Sequence, residues 1–318
     1  MADAERKPGY WDHYWQTGQA SCCDDRVSPS AAEAVESVWR RAFGTLTAGA
    51  RVLDVCTGNG AVLAIGAASA PGMVGVGVDA ASIRPELRDD SIEFVRAEAD
   101  KLPLADDSFD IVTSQFGIEY TPVEQSAAEI GRVLAPGGCA CLVIHADEGE
   151  TAIAARAQLC DLDELLDEIS IFPAAERALE LVCAAERSPA TPANVVLARA
   201  KAAYDTFYTR LKLLGETWQR RAAGDVYRDT GSLLQHTFQH RQAFPLDALL
   251  AKVRETAASV SFHRQRLAAL CDAALDETAC RALAASLESD AAPATVDRVK
   301  TDDGDFVAWL VTAGEPGS

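Results

Sequence analysis

Asp54, Gly58, Gly60, Asp79, Glu119 and His145 are residues whose types and spacing could do chemistry. The first three fall in residues 52–60, VLDVCTGNG, where an apolar run ends in a carboxylate and then a tight glycine turn. Gly58 and Gly60 let the backbone approach a ligand closely, and a helix that follows presents its free N–H groups there. Asp79 ends a second apolar run (Met73–Val78), 19 residues after Gly60. A carboxylate at about this spacing can accept both hydroxyls of a ribose. The pattern predicts a nucleotide-binding βαβ unit. His145 closes a later apolar run and is a candidate general base. Glu119, in a loop, is a candidate for orienting a polar acceptor.

A dinucleotide fingerprint, G-x-G-x-x-G/A, would place a small residue at position 63, which is Leu63. No G-x-x-x-x-G-K-[ST] occurs, so the P-loop reading fails as well. Leu53, Asp54, Gly58 and Gly60 instead resemble the first motif of the class I S-adenosylmethionine (SAM) methyltransferases, L-D-x-G-x-G-x-G, with Cys56 where that family usually has its first glycine. Three further stretches resemble the same family in the same order. They are FVRAEADKLPLADDSFD (94–110), IVTSQFGIEY (111–120) and IGRVLAPGGCACLVIH (130–145). SQFGIEY is similar to the ubiquinone and menaquinone C-methyltransferase branch. The resemblance covers residues from about 40 to 145 and the last twenty.

That resemblance implies SAM as cofactor and S-adenosylhomocysteine as product. It implies that Glu98 meets the adenine amino group and the Ala99 N–H a ring nitrogen. It extends the cofactor set over Asp54, Cys56, Gly58, Gly60, Asp79, Ala80, Gln115 and Phe116. Trp15 joins them if the aromatic N-terminus, YWDHYW (10–15), acts as a flap; docking of that helix on the core by its indoles is the alternative.

These groups need a scaffold that gathers them. From Arg51 to His145, strands at 51–56, 73–79, 92–97, 110–114 and 139–145 alternate with helices over short connections, which argues for a parallel sheet with helices on both faces. Right-handed crossovers align the strands' carboxyl ends, where ligands bind in such sheets. Asp79, Glu98, the 114–120 loop and His145 should therefore gather round one crevice. Ser30–Phe43 reads as an amphipathic helix with Val35, Val38 and Phe43 inward. Residues 150–290 are rich in Ala, Leu and Arg, with helical stripes at Leu159, Leu162, Leu165, Leu166 and Ile169 and at Phe207, Leu211, Leu214 and Trp218. Breaks are expected near Pro173, Pro189–Pro192, Gly224 and Pro245. Thr295–Lys300 and Phe306–Thr312 flank Asp302-Asp303-Gly304, a hairpin signal.

The expected fold is α/β, with a doubly wound, mostly parallel seven-stranded sheet and a large helical insertion before the C-terminal hairpin. The expected domains are an N-terminal segment (1–45), a SAM-binding core (46–149 with 292–318) and a helical cap (150–291).

Composition narrows the partners. A formal net charge of −19 opposes general nucleic-acid or anionic-membrane binding. Arg210, Lys212, Arg220 and Arg221 lie close together, as on a solvated helix face. Nine cysteines without an apolar leader suggest free thiols in a reducing, cytoplasmic setting. No stretch of about 18 apolar residues occurs, so no membrane insertion is expected. Cys22-Cys23 and Cys139-x-Cys141 lack zinc spacing, and no metal is expected. His236 and His240, spaced i, i+4, show no third ligand. An Ala/Leu-rich helical region offers a surface for a homodimer. The function these readings point to is methyl transfer to a small-molecule acceptor under the cap. A protein or peptide methyltransferase and a non-catalytic SAM-binding partner subunit stand as alternatives, and a NAD-dependent dehydrogenase is weakened by Leu63.

Overall fold

A computed structural model describes residues 9–19, 28–187, 194–288 and 293–314. Cys22-Cys23 and the Pro189–Pro192 break lie outside them. By compactness the chain falls into two units, residues 1–154 with 269–318 and residues 155–268.

The first unit is built on seven strands: β1 (Arg51–Val55), β2 (Val74–Asp79), β3 (Ile92–Arg96), β4 (Phe109–Gln115), β5 (Leu134–His145), β6 (Ala294–Lys300) and β7 (Phe306–Ala313). Their order is β3-β2-β1-β4-β5-β7-β6; β1 to β5 run parallel, and β7 is antiparallel to both neighbours. The side-chain period of two splits the strands between two apolar layers. Cys139, Cys141 and Val143 join the layer that holds Trp39, Phe43 and Leu63. Ala140, Leu142 and Ile144 join the layer that holds Leu53, Ile130 and Trp309. Buried among apolar neighbours, the Cys139 and Cys141 thiols are pushed up to about 12 and are inert packing groups.

Helices cover both faces. On one lie α1 (Tyr10–Gln16), α2 (Pro29–Gly44) and α3 (Ala61–Ser69). Helix α2 begins at a Ser28 cap, whose hydroxyl accepts from Ala31 N, and has Pro29 at its first position. It buries Trp39 as well as the expected Val35, Val38 and Phe43. On the other face lies α4 (Val123–Val133). The chain continues through α5 (Glu150–Asp163), α6 (Ile171–Glu186), α7 (Asn194–Thr217), α8 (Gly224–Gln239), α9 (Leu246–Ala273) and α10 (Glu277–Leu287). Helix α10 packs on α4, β6 and β7 through Cys280, Leu283 and Ala284, so it belongs with the sheet. The break expected at Pro173 falls three residues earlier, at Ser170, whose backbone is left-handed (φ +49°); Pro173 sits in the first turn of α6.

The Pro-Gly-Gly turn expected before β5 is absorbed into that strand. Six residues of β5 (Leu134 to Cys139) face three of β4 (Phe109 to Ile111). Gly138 passes so close to neighbouring carbonyls that a Cβ would lie 2.9 Å from Ala135 O. The C-terminal hairpin closes as expected, with Gly304 left-handed (φ +93°) and its N–H donating to Thr301 O at 2.9 Å.

Candidate active site

At the carboxyl ends of the parallel strands a cavity of about 590 Å³ opens, and all of its walls belong to the first unit. Asp54, Cys56, Asp79, Ala80, Glu98, Ala99, Gln115, Phe116, Glu119 and Trp15 line it. Gly58, Gly60 and His145 do not reach its surface.

Gly60 turns the chain from β1 into α3 with a left-handed backbone (φ +86°). Ala61 and Val62, in the helix's first turn, then line the cavity, where backbone N–H groups have no helical partner. Gly58 is left-handed too (φ +53°), and the Trp15 indole lies against it: a Cβ there would stand 2.4 Å from the ring. The Asn59 amide donates to Trp15 O (3.0 Å) and Gln19 O (2.7 Å), tying α1 to the glycine turn. Trp11, on the same helix, meets Tyr120 edge-on at 5.4 Å. Cys56, standing where the family usually has glycine, adopts the left-handed backbone itself (φ +58°), as does Phe116 (φ +53°). Two non-glycine residues held this way mark a strained site. Gly117 makes room for one of them, since a Cβ there would lie 2.3 Å from Cys56 Cβ.

The carboxylates differ in what they meet. Asp79 Oδ2 accepts from Gly58 N and its Oδ1 from Ala81 N, both at 2.8 Å. Burial raises its carboxyl above the ordinary range. Asp54 Oδ1 accepts from Thr113 Oγ1 at 2.8 Å, while its buried Oδ2 has no partner among the described residues. Burial pushes Asp54 up to about 7. Glu119 sits in a single turn after β4 (Ile118–Tyr120) with its side chain fully buried. Its Oε1 accepts from His145 N (2.9 Å) and faces His145 Nδ1 at 2.7 Å. Its Oε2 has no partner among the described residues.

His145 as a base that touches an acceptor is therefore corrected. The ring lies behind Phe116, stacked at 4.1 Å, and its Nδ1 is committed to Glu119. The neighbouring Leu275 backbone fixes its main chain, with Leu275 N donating to His145 O at 2.9 Å. Gln115 reaches both ways: it lines the cavity, and its Oε1 accepts from the buried Trp39 indole.

Sequence reasoning passed over Asp12, Thr57 and Asp272. Asp12 holds α1 in place, accepting from Ser82 N and Gly9 N at 2.6 Å each. Its signal was its position inside the aromatic run. With these, seven carboxylates line the cavity (Asp12, Asp54, Asp79, Glu98, Asp100, Glu119 and Asp272), and no Lys, Arg or His among the described residues does. Elsewhere, His236 and His240 are exposed neighbours, with rings 4.1 Å apart. No cluster of three or more potential metal ligands occurs among the described residues. None of the described helices is long and apolar enough to cross a membrane.

Residues 53–142 match a family model described as a methyltransferase domain. The demethylmenaquinone methyltransferase of Clavibacter sepedonicus is 34% identical over 145 residues, 43% of this chain and 58% of that protein. An uncharacterized methyltransferase of Mycobacterium avium is 37% identical over 120 residues, 36% of this chain and 47% of that protein. The chain thus spans about half the length of the curated relatives it matches. A methyltransferase solved in complex with the Haloferax volcanii Trm112 activator is 24% identical, covering 48% of this chain and 65% of that one at a TM-score of 0.40. Residues 53–142 therefore carry a likeness to a methyltransferase domain, within the unit that holds the seven-stranded sheet.

Proposed function

We propose that this protein transfers the methyl group of SAM to a small-molecule acceptor and releases S-adenosylhomocysteine. One observation carries this reading: Asp54 Oδ2, an orphaned buried acceptor on a cavity residue, stands beside a glycine turn and the fixed carboxylate of Asp79. A buried oxygen without a donor costs free energy, and an ammonium would satisfy it. Asp54 would hold the amino group of the cofactor, Asp79 the ribose hydroxyls, and Glu98 with the Ala99 N–H the adenine. Gln115, Phe116 and Cys56 complete the wall. When bound, the cofactor supplies a methyl group already activated by its sulfonium charge. The protein's own task is to orient the acceptor and exclude water. Trp15 on α1 suits the second part, because it closes over the glycine turn, with Trp11 stacked on it.

A small-molecule acceptor fits the names of the curated relatives, demethylmenaquinone methyltransferases among them. A wall of carboxylates without cations favours an acceptor that is neutral or cationic.

Calorimetric titration with SAM, S-adenosylhomocysteine and NAD tests the reading. Binding of the first two and not the third is expected; failure to bind SAM overturns it. A chain that binds SAM yet methylates no small molecule would instead be a non-catalytic partner subunit.

Asp54 adds a pH signature. Below about 7 its carboxyl is protonated and cannot pair with an ammonium. SAM affinity should therefore rise with pH, by close to tenfold between pH 6 and 7.5, as the ionised fraction grows. Asp54→Asn should flatten that profile. Without cofactor the sign reverses. A carboxyl raised by burial contributes stability fully below its unfolded value, and that contribution is lost as pH climbs towards 7.

A further inference from the structure

We propose that the acceptor is an organic cation, with an ammonium group apart from the atom that receives the methyl, and that Asp272 selects it. The inference rests on the SAM-dependent reading above and deepens it by naming the acceptor's class.

Topology separates two ends of the cavity. In the order β3-β2-β1-β4-β5, the carboxylates assigned to the cofactor stand at or just past the ends of β1 (Asp54), β2 (Asp79) and β3 (Glu98). The space beyond β4 and β5 is left for the acceptor. Tyr120 and Thr121 line it after β4. The end of α9 is tied to the end of β5, because Leu275 N donates to His145 O at 2.9 Å. From that end of α9, which belongs to the first unit, Ala269, Asp272 and Ala273 line the cavity. Spaced i, i+3 and i+4, they share one helix face, so this face is turned to the cavity. Asp272 is the polar side chain of the three.

The position is an unfavourable one for a carboxylate. Asp272 lies in the last turn of a 28-residue helix, where no basic residue accompanies it. The negative end of the helix dipole disfavours an anion there and favours a cation. The side chain is exposed, so a ligand can reach it, and it has no hydrogen bond or ion pair among the described residues. A residue set against a local rule without a compensating partner points to a ligand that supplies one. The remaining carboxylates of the wall are placed differently. Both oxygens of Asp12 accept backbone N–H groups, the Glu119 side chain is buried, and Asp100 follows β3 at the opposite end of the row.

Ring faces supply the second part of the recognition. Trp11 and Tyr120, both half-buried on the cavity wall, stand at 88° to each other, so their planes form a corner. Aromatic faces attract cations through the ring quadrupole, and quaternary ammonium groups are held this way in aromatic cages. No Lys, Arg or His among the described residues lines the cavity to oppose such a group. An anionic acceptor would meet the reverse, an unpaired like charge and repelling ring faces. An ammonium nitrogen has no lone pair to offer the methyl, so the charged group anchors the acceptor and a different atom reacts.

The test uses choline and its uncharged isostere dimethylbutanol, in which carbon replaces the ammonium nitrogen. The full chain, saturated with S-adenosylhomocysteine, is titrated calorimetrically with each. Choline should bind about tenfold tighter than the isostere. Asp272→Asn should cut that preference to about twofold or less, and Asp272→Glu, which keeps the charge, should retain most of it. Affinity for S-adenosylhomocysteine should stay within about twofold in both variants, because Asp272 holds no part of the cofactor. Trp11→Leu should weaken choline by at least about threefold. Equal affinities for the two probes, or no measurable binding of choline, overturn the proposal. A preference undiminished in Asp272→Asn overturns the assignment to Asp272. A chain that takes up no S-adenosylhomocysteine loses the cofactor reading itself, whereas one that takes it up and ignores the cation loses only the acceptor class.

Discussion

Asp79→Ala is expected to weaken SAM binding by roughly 10²- to 10⁴-fold, from two lost charge-assisted hydrogen bonds at about 1.5–3 kcal/mol each. The carboxylate has two jobs in this structure. Each oxygen already accepts one backbone N–H, from Gly58 and from Ala81, and each keeps lone pairs for a ribose hydroxyl. Its removal therefore deletes two contacts to the cofactor and also releases the glycine turn. Asp79→Asn separates these effects. An amide keeps one acceptor oxygen for the backbone, so the turn should hold while affinity falls by an intermediate amount. Calorimetry on both variants gives the answer. An affinity for Asp79→Ala within threefold of the unaltered protein would remove Asp79 from the ribose role and the SAM reading with it.

Much of the scaffold around Asp79 was legible because it depends on periodicity and punctuation. Apolar runs that lead into Asp54 and Asp79 give strands, and Asp303-Gly304 between two further strand-forming runs gives a hairpin. A crossover rule then brings the strand ends together without any knowledge of side-chain contacts. What stayed hidden depends on contacts between residues far apart in sequence. Alternation placed His145 at a strand end but could not reveal that Glu119, 26 residues earlier, would occupy its Nδ1. Trp39 lay inside a helix already recognised, yet its indole partner, Gln115, is 76 residues away. The Pro-Gly-Gly turn misled for a different reason. Glycine permits a turn, but here the pairing of β4 with β5 continues past it and carries the extra residues as a bulge. Cys56 shows the converse. Its left-handed backbone matches what a glycine would adopt there, so the family pattern survives without its residue, and the adaptation sits at Gly117 instead.

Trp39 also carries the second large effect, which falls on stability. Its side chain is fully buried between α2 and the sheet, tilted against Phe43 at 6.3 Å, and its Nε1 donates to Gln115. Trp39→Ala should cost about 3–5 kcal/mol, the usual loss when a buried aromatic is cut to alanine. At about 2–4 °C per kcal/mol for a unit of this size, the first thermal transition should fall by roughly 6–20 °C. Trp39→Phe discriminates between packing and the hydrogen bond. It keeps most of the apolar volume and removes the donor, so its cost should lie near the low end of the 1–3 kcal/mol of an unmet polar group, because Gln115 also borders the cavity. A Phe variant as unstable as the Ala variant would mean that the indole–amide bond dominates. An Ala variant within about 1 kcal/mol of the unaltered protein would mean that α2 does not brace the sheet at this point. The cavity wall should respond less than the core: Gln115 keeps its place on β4, so SAM affinity in Trp39→Phe should change by no more than about threefold, below 1 kcal/mol. Stability and cofactor binding would then separate at a residue that touches both.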